Sequence, residues 1–254
     1  MSKTLTKQEL KAPDEFHTLG NRAAAFAAKN PAMAIVVALV PLLVVGGIFA
    51  MGHQREQREV AAASKLFAGE KLLAPEGSGQ MKGLRIPGFS DPKPDDLRGA
   101  IGVFQDVARE FPGSKAERRA HLLAGDSYLT LKDYDGAVKE FEAASGAGTE
   151  MERYYALSGK GHALEGKQAW DDAAGAYRRI VDDATMLNRD LAALDLSRVL
   201  VKAGKPDDAK AALGKFGTDF PNSAMKSDAD AKLAALGGTP APVATATPGK
   251  PEAN

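Results

Sequence analysis

The 254-residue chain reads as an all-α protein: a single N-terminal transmembrane helix, then a solenoid of helix pairs with a C-terminal capping helix. Three observations predict this. No charged residue falls between Lys29 and Arg55. An alanine with an apolar residue four positions later recurs at Ala100, Ala137, Ala173 and Ala209, at intervals of 37, 36 and 36 residues. The palette is 44% hydrophobic but only 6% aromatic, so the core is built mainly from Ala, Leu and Val. Such a core suits close-packed helices, because Ala is a strong helix former and is poor in strands.

Composition narrows the function as well. Lys plus Arg and Asp plus Glu are both 33, so the chain lacks the basic footprint of a nucleic-acid binder. A charged fraction of 26% excludes wholesale disorder and a polytopic membrane protein, but not one span. The absence of cysteine removes disulfides, thiolate metal sites and cysteine nucleophiles together. His17, His53, His121 and His162 are too scattered for a zinc site, which needs several convergent ligands. No metal, cofactor or catalytic residue is expected.

Residues 1–30 read as a cytoplasmic tail with a short amphipathic helix. Pro13, Asp14 and Glu15 suit a helix start, and Phe16, Leu19, Ala23 and Phe26 then share one face. Both an interfacial helix and a leader continuous with the span fit this pattern. Residues 31–51, PAMAIVVALVPLLVVGGIFAM, would extend about 31 Å as a helix, close to the ~30 Å of bilayer hydrocarbon. The run exceeds the usual hydrophobic region of a signal peptide and lacks a good cleavage site, so an uncleaved anchor is expected. Basic residues flank both ends and do not set the orientation, whereas a long domain translocates largely regardless of charge. The expected topology has the N-terminus inside and the large domain outside.

Residues 52–94 read as a linking helix, from His53 to Leu73, and a Gly/Pro-rich loop from Ala74 to Pro94. The solenoid occupies 95–236. Acids precede each recurring alanine: Asp95 and Asp96, Asp133 and Asp135, Asp171 and Asp172, Asp207 and Asp208. At a helix start they cap free N–H groups and complement the helix dipole, which accounts for them better than acid–base chemistry does. A small residue before a larger one marks the first helix of each pair: Gly125 with Tyr128, Gly159 with His162, Ser197 with Leu200. On this alignment the third unit carries two extra residues between Gly166 and Asp171. Ser223 is the expected N-cap of a closing helix that stops at Gly237-Gly238, and 237–254 reads as a disordered tail rich in Pro, Ala and Thr.

Thr130 to Ala144, TLKDYDGAVKEFEAA, resembles the second-helix pattern of the tetratricopeptide repeat, and Phe111-Pro112 and Phe220-Pro221 match its closing proline. The usual unit has 34 residues. The resemblance assigns repeat packing to Gly125, Tyr128, Ala137, Phe141, Gly159, Ala173, Tyr177, Ala209 and Leu213, with Pro112 and Pro221. It also implies a surface that holds another protein, lined by the first helices. Candidate contacts there are Asp126, Lys132, Arg153, Lys160, Arg189 and Arg198.

Gly161 to Gln168 has the spacing of a phosphate-binding loop, but Gln168 replaces the metal-binding hydroxyl and the segment opens no helix. No nucleophile stands beside a recognisable base. The layout of tail, span and exported repeats resembles the ancillary Sec-translocon subunit family of bacterial inner membranes. That resemblance implies a periplasmic scaffold with the Sec translocon and periplasmic chaperones as partners. An envelope-assembly or division scaffold is the alternative, and a small-ligand accessory protein or enzyme a third reading.

Overall fold

The computed structural model describes residues 24–26, 28–73, 92–146 and 148–239. The face expected from Phe16 to Ala23, the loop from Ala74 to Asp91 and the tail from Pro240 lie outside these residues. Among the described residues there are helices and turns and no strand. Contacts divide the chain into two compact units, residues 1–57 and 58–254.

Helix α1 (Pro31–Leu73) is continuous over 43 residues and contributes to both units. In the first unit its large apolar side chains are exposed, with Leu42, Leu43 and Phe49 each at least two-thirds accessible. Among the described residues no helix is long and apolar enough to cross a membrane. The side chains of Ala34, Val37, Ala38 and Pro41, inside the apolar run, are not among those described. The spanning helix expected over 31–51 is therefore not a finding of the structure. The finding is an unbroken helix with apolar residues facing outward.

The second unit is an all-α solenoid. After α1 come α2 (Pro94–Glu110), α3 (Lys115–Thr130), α4 (Tyr134–Ala144), α5 (Glu150–Gly166), α6 (Trp170–Asp182), α7 (Arg189–Lys202), α8 (Pro206–Asp219) and α9 (Lys226–Ala235). From α2 on, each helix packs on its neighbours in sequence, and α3 also meets α5. Local signals set the starts. Pro94 and Pro206 open α2 and α8, where a missing N–H costs nothing. Ser114 and Asp133 cap α3 and α4 through the amides of Glu117 and Gly136. Thr149 and Glu152 form a reciprocal capping box on α5.

The turns inside the pairs fix the period. Residues 131–133, 167–169 and 203–205 are three turns of equal length. In each, the last N–H closes back on a carbonyl five residues earlier: Asp133 to Tyr128, Ala169 to Leu164 and Lys205 to Leu200, all at 2.9 Å. The middle residue is left-handed each time, with φ of 59° at Lys132, 60° at Gln168 and 73° at Gly204. From the turn at 131–133 onward the unit is thus 36 residues. The two extra residues expected between Gly166 and Asp171 do not exist. That expectation came from aligning Gly159 with Gly125; the residue in phase with Gly125 is Gly161.

Ser223 does not cap α9. Its hydroxyl donates to Asp190 Oδ2 at 2.6 Å and accepts the Met225 N–H at 3.1 Å, and Met225 is the flanking residue. The hydroxyl is drawn away by a carboxylate on α7, so the closing helix starts at Lys226, two residues later than a cap at Ser223 would start it.

The core runs along the unit as linked clusters. Ala62 and Leu66 of α1 pack with Ala100, Phe104 and Val107 of α2 and with Ala116, Ala120 and Ala124 of α3. Ala137, Phe141 and Ala163 come next, then a larger cluster centred on Tyr177 and Val199. Leu194, Leu213, Phe216, Ala229 and Leu233 close the far end.

Candidate partner-binding surface

The junctions between helices are built from close approach. Phe141 lies 1% exposed between two first helices, and a Cβ added at Gly125 or Gly159 would fall 2.8 or 2.5 Å from its ring. Gly161 makes the same approach to Tyr177, at 2.6 Å. Ala137, Ala173 and Ala209 are fully buried beside these rings, and Leu213 is buried at the same phase of α8. Gly159 therefore serves the preceding unit and Gly161 its own. Tyr128 is half-buried over Gly136, and its hydroxyl accepts from Gln105 Nε2 at 3.1 Å. Pro112 and Pro221 are exposed in the connections after α2 and α8.

The polar candidates separate into two groups. Asp126 and Lys132 are exposed, the first on α3 and the second in the turn that follows. The remaining four lie on first helices and have these intramolecular partners. Lys160 pairs with Glu142. Arg153 bonds Thr185 at 3.1 Å and faces Asp183 at 3.6 Å. Arg189 donates to the Val181 carbonyl at 2.9 Å and its guanidinium stacks 5.4 Å from the Phe220 ring centre. Arg198 pairs with both Glu165 and Asp195. A partner using these cations would compete with bonds already formed.

Glu165 is the hub of the last set. Its Oε1 accepts from Tyr177 at 2.7 Å and from Arg198 Nη2 at 2.9 Å. Burial pushes its carboxyl up, but the bonds from Arg198 and Tyr177 outweigh burial and hold it below the ordinary glutamate range. Burial and the bond to Glu165 raise the Tyr177 hydroxyl far above its usual range. A second network lies one unit earlier. Glu140, only 4% exposed, bonds His121 Nδ1 at 2.7 Å and Gln105 Nε2 at 2.9 Å. Burial raises its carboxyl and those two bonds more than reverse the effect. At the phase of His121 the later first helices carry Leu157 and Ala193.

His162 is exposed, with its ring edge-on to Tyr177. Trp170 opens α6 under Lys202, whose Nζ is 5.6 Å from the ring centre, while Tyr134, in phase with it, packs across Gly166. Both aromatic rings tie a second helix to the next first helix. The Gly161–Gln168 spacing lies within α5 and its turn, and Lys167 pairs with Asp135. Among the described residues no cluster could hold a metal ion.

Sequence reasoning missed an apolar surface. Met151 and Tyr155 on α5 are 45% and 57% exposed, and Leu187 and Leu191 at the entry to α7 are each 36% exposed. An open depression of about 600 Å³ lies among Gly148, Thr149, Glu150, Met151, Arg153 and Leu187. The missing signal was phase. Leu187 and Leu191 stand 36 residues after Met151 and Tyr155, where α3 carries Lys115 and Arg119.

Residues 95–152 and 122–186 match one tetratricopeptide repeat model, and residues 191–223 match a second. No curated protein matches the chain. The matched segments cover α2 to α6, most of α7 and all of α8. Tetratricopeptide repeats are thus detected over residues 95–186 and 191–223.

Proposed function

We propose that this protein is a membrane-anchored scaffold whose repeat domain binds other proteins. The observation that carries the reading is the repeat itself. Stacked helix pairs satisfy their own core and leave the exposed faces of the first helices as binding surface. Several charged side chains of the repeat helices are engaged in intramolecular ion pairs, which fits a scaffold held rigid for recognition. The anchor is the apolar run 31–51, whose exposed side chains and length of about 31 Å as a helix suit bilayer hydrocarbon. On the resemblance of layout, the anchor lies in a bacterial inner membrane, the repeats lie in the periplasm, and the partners are the Sec translocon and periplasmic chaperones.

In-cell crosslinking of the full chain, read by mass spectrometry, tests the partners. Translocon and chaperone subunits should dominate the captured set. Consistent capture of peptidoglycan or outer-membrane machinery instead would overturn that assignment. A topology reporter fused after Asn254 tests the orientation: activity confined to the cytoplasm rules out an exported domain, and recovery of the fusion in the soluble fraction rules out the anchor.

A further inference from the structure

We propose that the outward face of α1 from Val60 to Ala68 pairs with the same face of a second copy of this chain, the two helices lying parallel at the end of the repeat stack. The parallel orientation rests on the anchored reading, in which one bilayer holds every copy of α1 the same way up.

Repeat phase identifies the face. Gly69 approaches the Phe104 ring as Gly125 approaches that of Phe141, which sets α1 in phase with α3. Leu66 then corresponds to Leu122, and each packs towards the second helix that follows it. Val60, Ser64, Phe67 and Ala68 correspond to Ala116, Ala120, Leu123 and Ala124. In α3 those three alanines are buried with Phe104 and Val107 of the preceding second helix, and Leu123 packs beside them. Ala156 and Ala192, in phase with Ala120 on the later first helices, are buried too. No second helix precedes α1 in the second unit among the described residues, and the same face of α1 is open. Val60 is 66% exposed and Phe67 57%, larger apolar groups than the alanines that a packed neighbour requires. The face closes the end of the stack and is separate from the lateral surface of successive first helices.

Charge is arranged the wrong way round for water. A surface helix turns its charged side chains outward. Between residues 59 and 70 the charged side chains of α1 are Glu59, Lys65 and Glu70, and each is bonded to α2 or α3. Glu59 accepts the Lys115 N–H at 3.3 Å, Lys65 pairs with Glu110 at 2.7 Å, and Glu70 pairs with Arg119 at 2.9 Å. The exposed residues of this stretch are Val60, Ala61, Ala63, Ser64, Phe67 and Ala68, with no charge among them. Lys71 ends it, with its Nζ 5.2 Å from the centre of the Phe67 ring.

That chemistry fits a second copy. In a parallel symmetric pair of helices each seam residue meets itself, so a charge would meet its like. Val, Ala and Phe meet themselves without cost, and the Ser64 hydroxyl both donates and accepts. A foreign partner sets no such condition, because it can bring the opposite charge. Val60, Ser64 and Phe67 follow the four-then-three spacing of a coiled-coil seam. Anchors in one bilayer add a high effective concentration and the shared direction.

The chain has no cysteine, so single substitutions report without background. The test expresses the full-length chain and oxidises cell membranes with copper phenanthroline. Val60→Cys and Phe67→Cys should each give a disulfide-linked homodimer roughly tenfold or more faster than Ala143→Cys, an exposed position on α4 that reads random collision. Self-linkage at both positions requires parallel register, because an antiparallel pair brings only its crossing residue onto itself. Ser64→Cys should also link, and adding Val60→Glu with Phe67→Glu to it should reduce linkage to the Ala143→Cys rate. Circular dichroism should show an unchanged melting temperature for the Glu pair, since both side chains are exposed. Linkage at Ser64→Cys alone, linkage untouched by the Glu pair, or linkage to a different protein identified by mass spectrometry overturns the proposal. So does a Val60→Cys thiol that gives no dimer, whether it reacts freely with maleimide, as on an open face, or is shielded, as under another segment or lipid. The anchored reading fails separately. A full-length chain recovered in the soluble fraction removes the anchor, and the same dimer bands in that fraction then decide the pairing. A membrane-bound chain without dimer bands keeps the anchor, and only the pairing falls.

Discussion

Glu165 carries a junction that a hydrocarbon contact carries elsewhere. Phe141 needs no polar partner, because Gly125 and Gly159 leave room for its ring. One unit on, Tyr177 adds a hydroxyl, and Asp195 stands where Gly159 stood. Glu165 accepts the hydroxyl, and Arg198 binds both carboxylates. A buried donor without an acceptor is costly, so these changes stand or fall together. Glu165→Gln should destabilise the protein by about 1–2 kcal/mol near neutral pH, discounted because the Arg198 side chain is 41% exposed. The sign of its pH dependence follows from the carboxyl's lowered range. Its contribution is present above the ordinary value of 4.5 and is lost as the pH falls through the lower folded-state value. Melting of wild type and variant should therefore differ at pH 7 and converge in acid. A gap that persists undiminished at pH 3 would show that ionisation of Glu165 is not its source.

At the scale of the element, the three-residue turn sets the register of every pair. The left-handed middle position holds Lys132, Gln168 and Gly204. Only glycine adopts that conformation without steric cost. Gln168→Gly should stabilise the protein by about 0.5–1 kcal/mol, net of the extra freedom gained by the unfolded chain, and Gly204→Ala should destabilise it by about 1 kcal/mol. Urea unfolding with an unchanged m-value measures both; a loss of stability in Gln168→Gly would mean that the glutamine side chain holds the turn. The same turn explains what was legible beforehand. Ala137, Ala173 and Ala209 announce the second helices, because a fully buried small residue with a large apolar one four positions on is a pattern spacing alone reveals. The first helices were harder. Gly159 and Gly161 are two apart on one helix and face opposite neighbours, Phe141 behind and Tyr177 ahead. Either satisfies a rule of small before large, and only the turn length separates them. Ser223 misled for a related reason, since a capping hydroxyl is read locally and Asp190 lies 33 positions back. The surface formed by Met151, Tyr155, Leu187 and Leu191 escaped because an outward apolar residue looks like an inward one until the phase is known.

At the scale of the repeat domain, stability passes from neighbour to neighbour, because each helix packs on the next in sequence. The two ends are then unlike the middle. At the start, Ala62 and Leu66 of α1 stand in for a first helix, with Gly69 against Phe104. At the far end, no second helix follows α9 among the described residues, and its Ala229 and Leu233 are buried against Ala193, Leu194, Leu213 and Phe216 of α7 and α8. A chain ended after Met225 loses those two side chains and leaves Leu213 and Phe216 uncovered. Burial of a leucine is worth about 1.5–3 kcal/mol, so the opening free energy of α8 should fall by that order. Hydrogen exchange on the full chain and on this truncation reads where the loss goes. Protection should drop in α8 and α7 and stay unchanged in α2 and α3, because no direct contact transmits it that far. A chain ended after Thr239 retains α9 and should behave as wild type, which separates the helix from the residues beyond it. Equal loss of protection from α2 to α8 would show instead that the repeats open as one cooperative body, and that the junctions at Phe141 and Tyr177 are stronger than the helices they join.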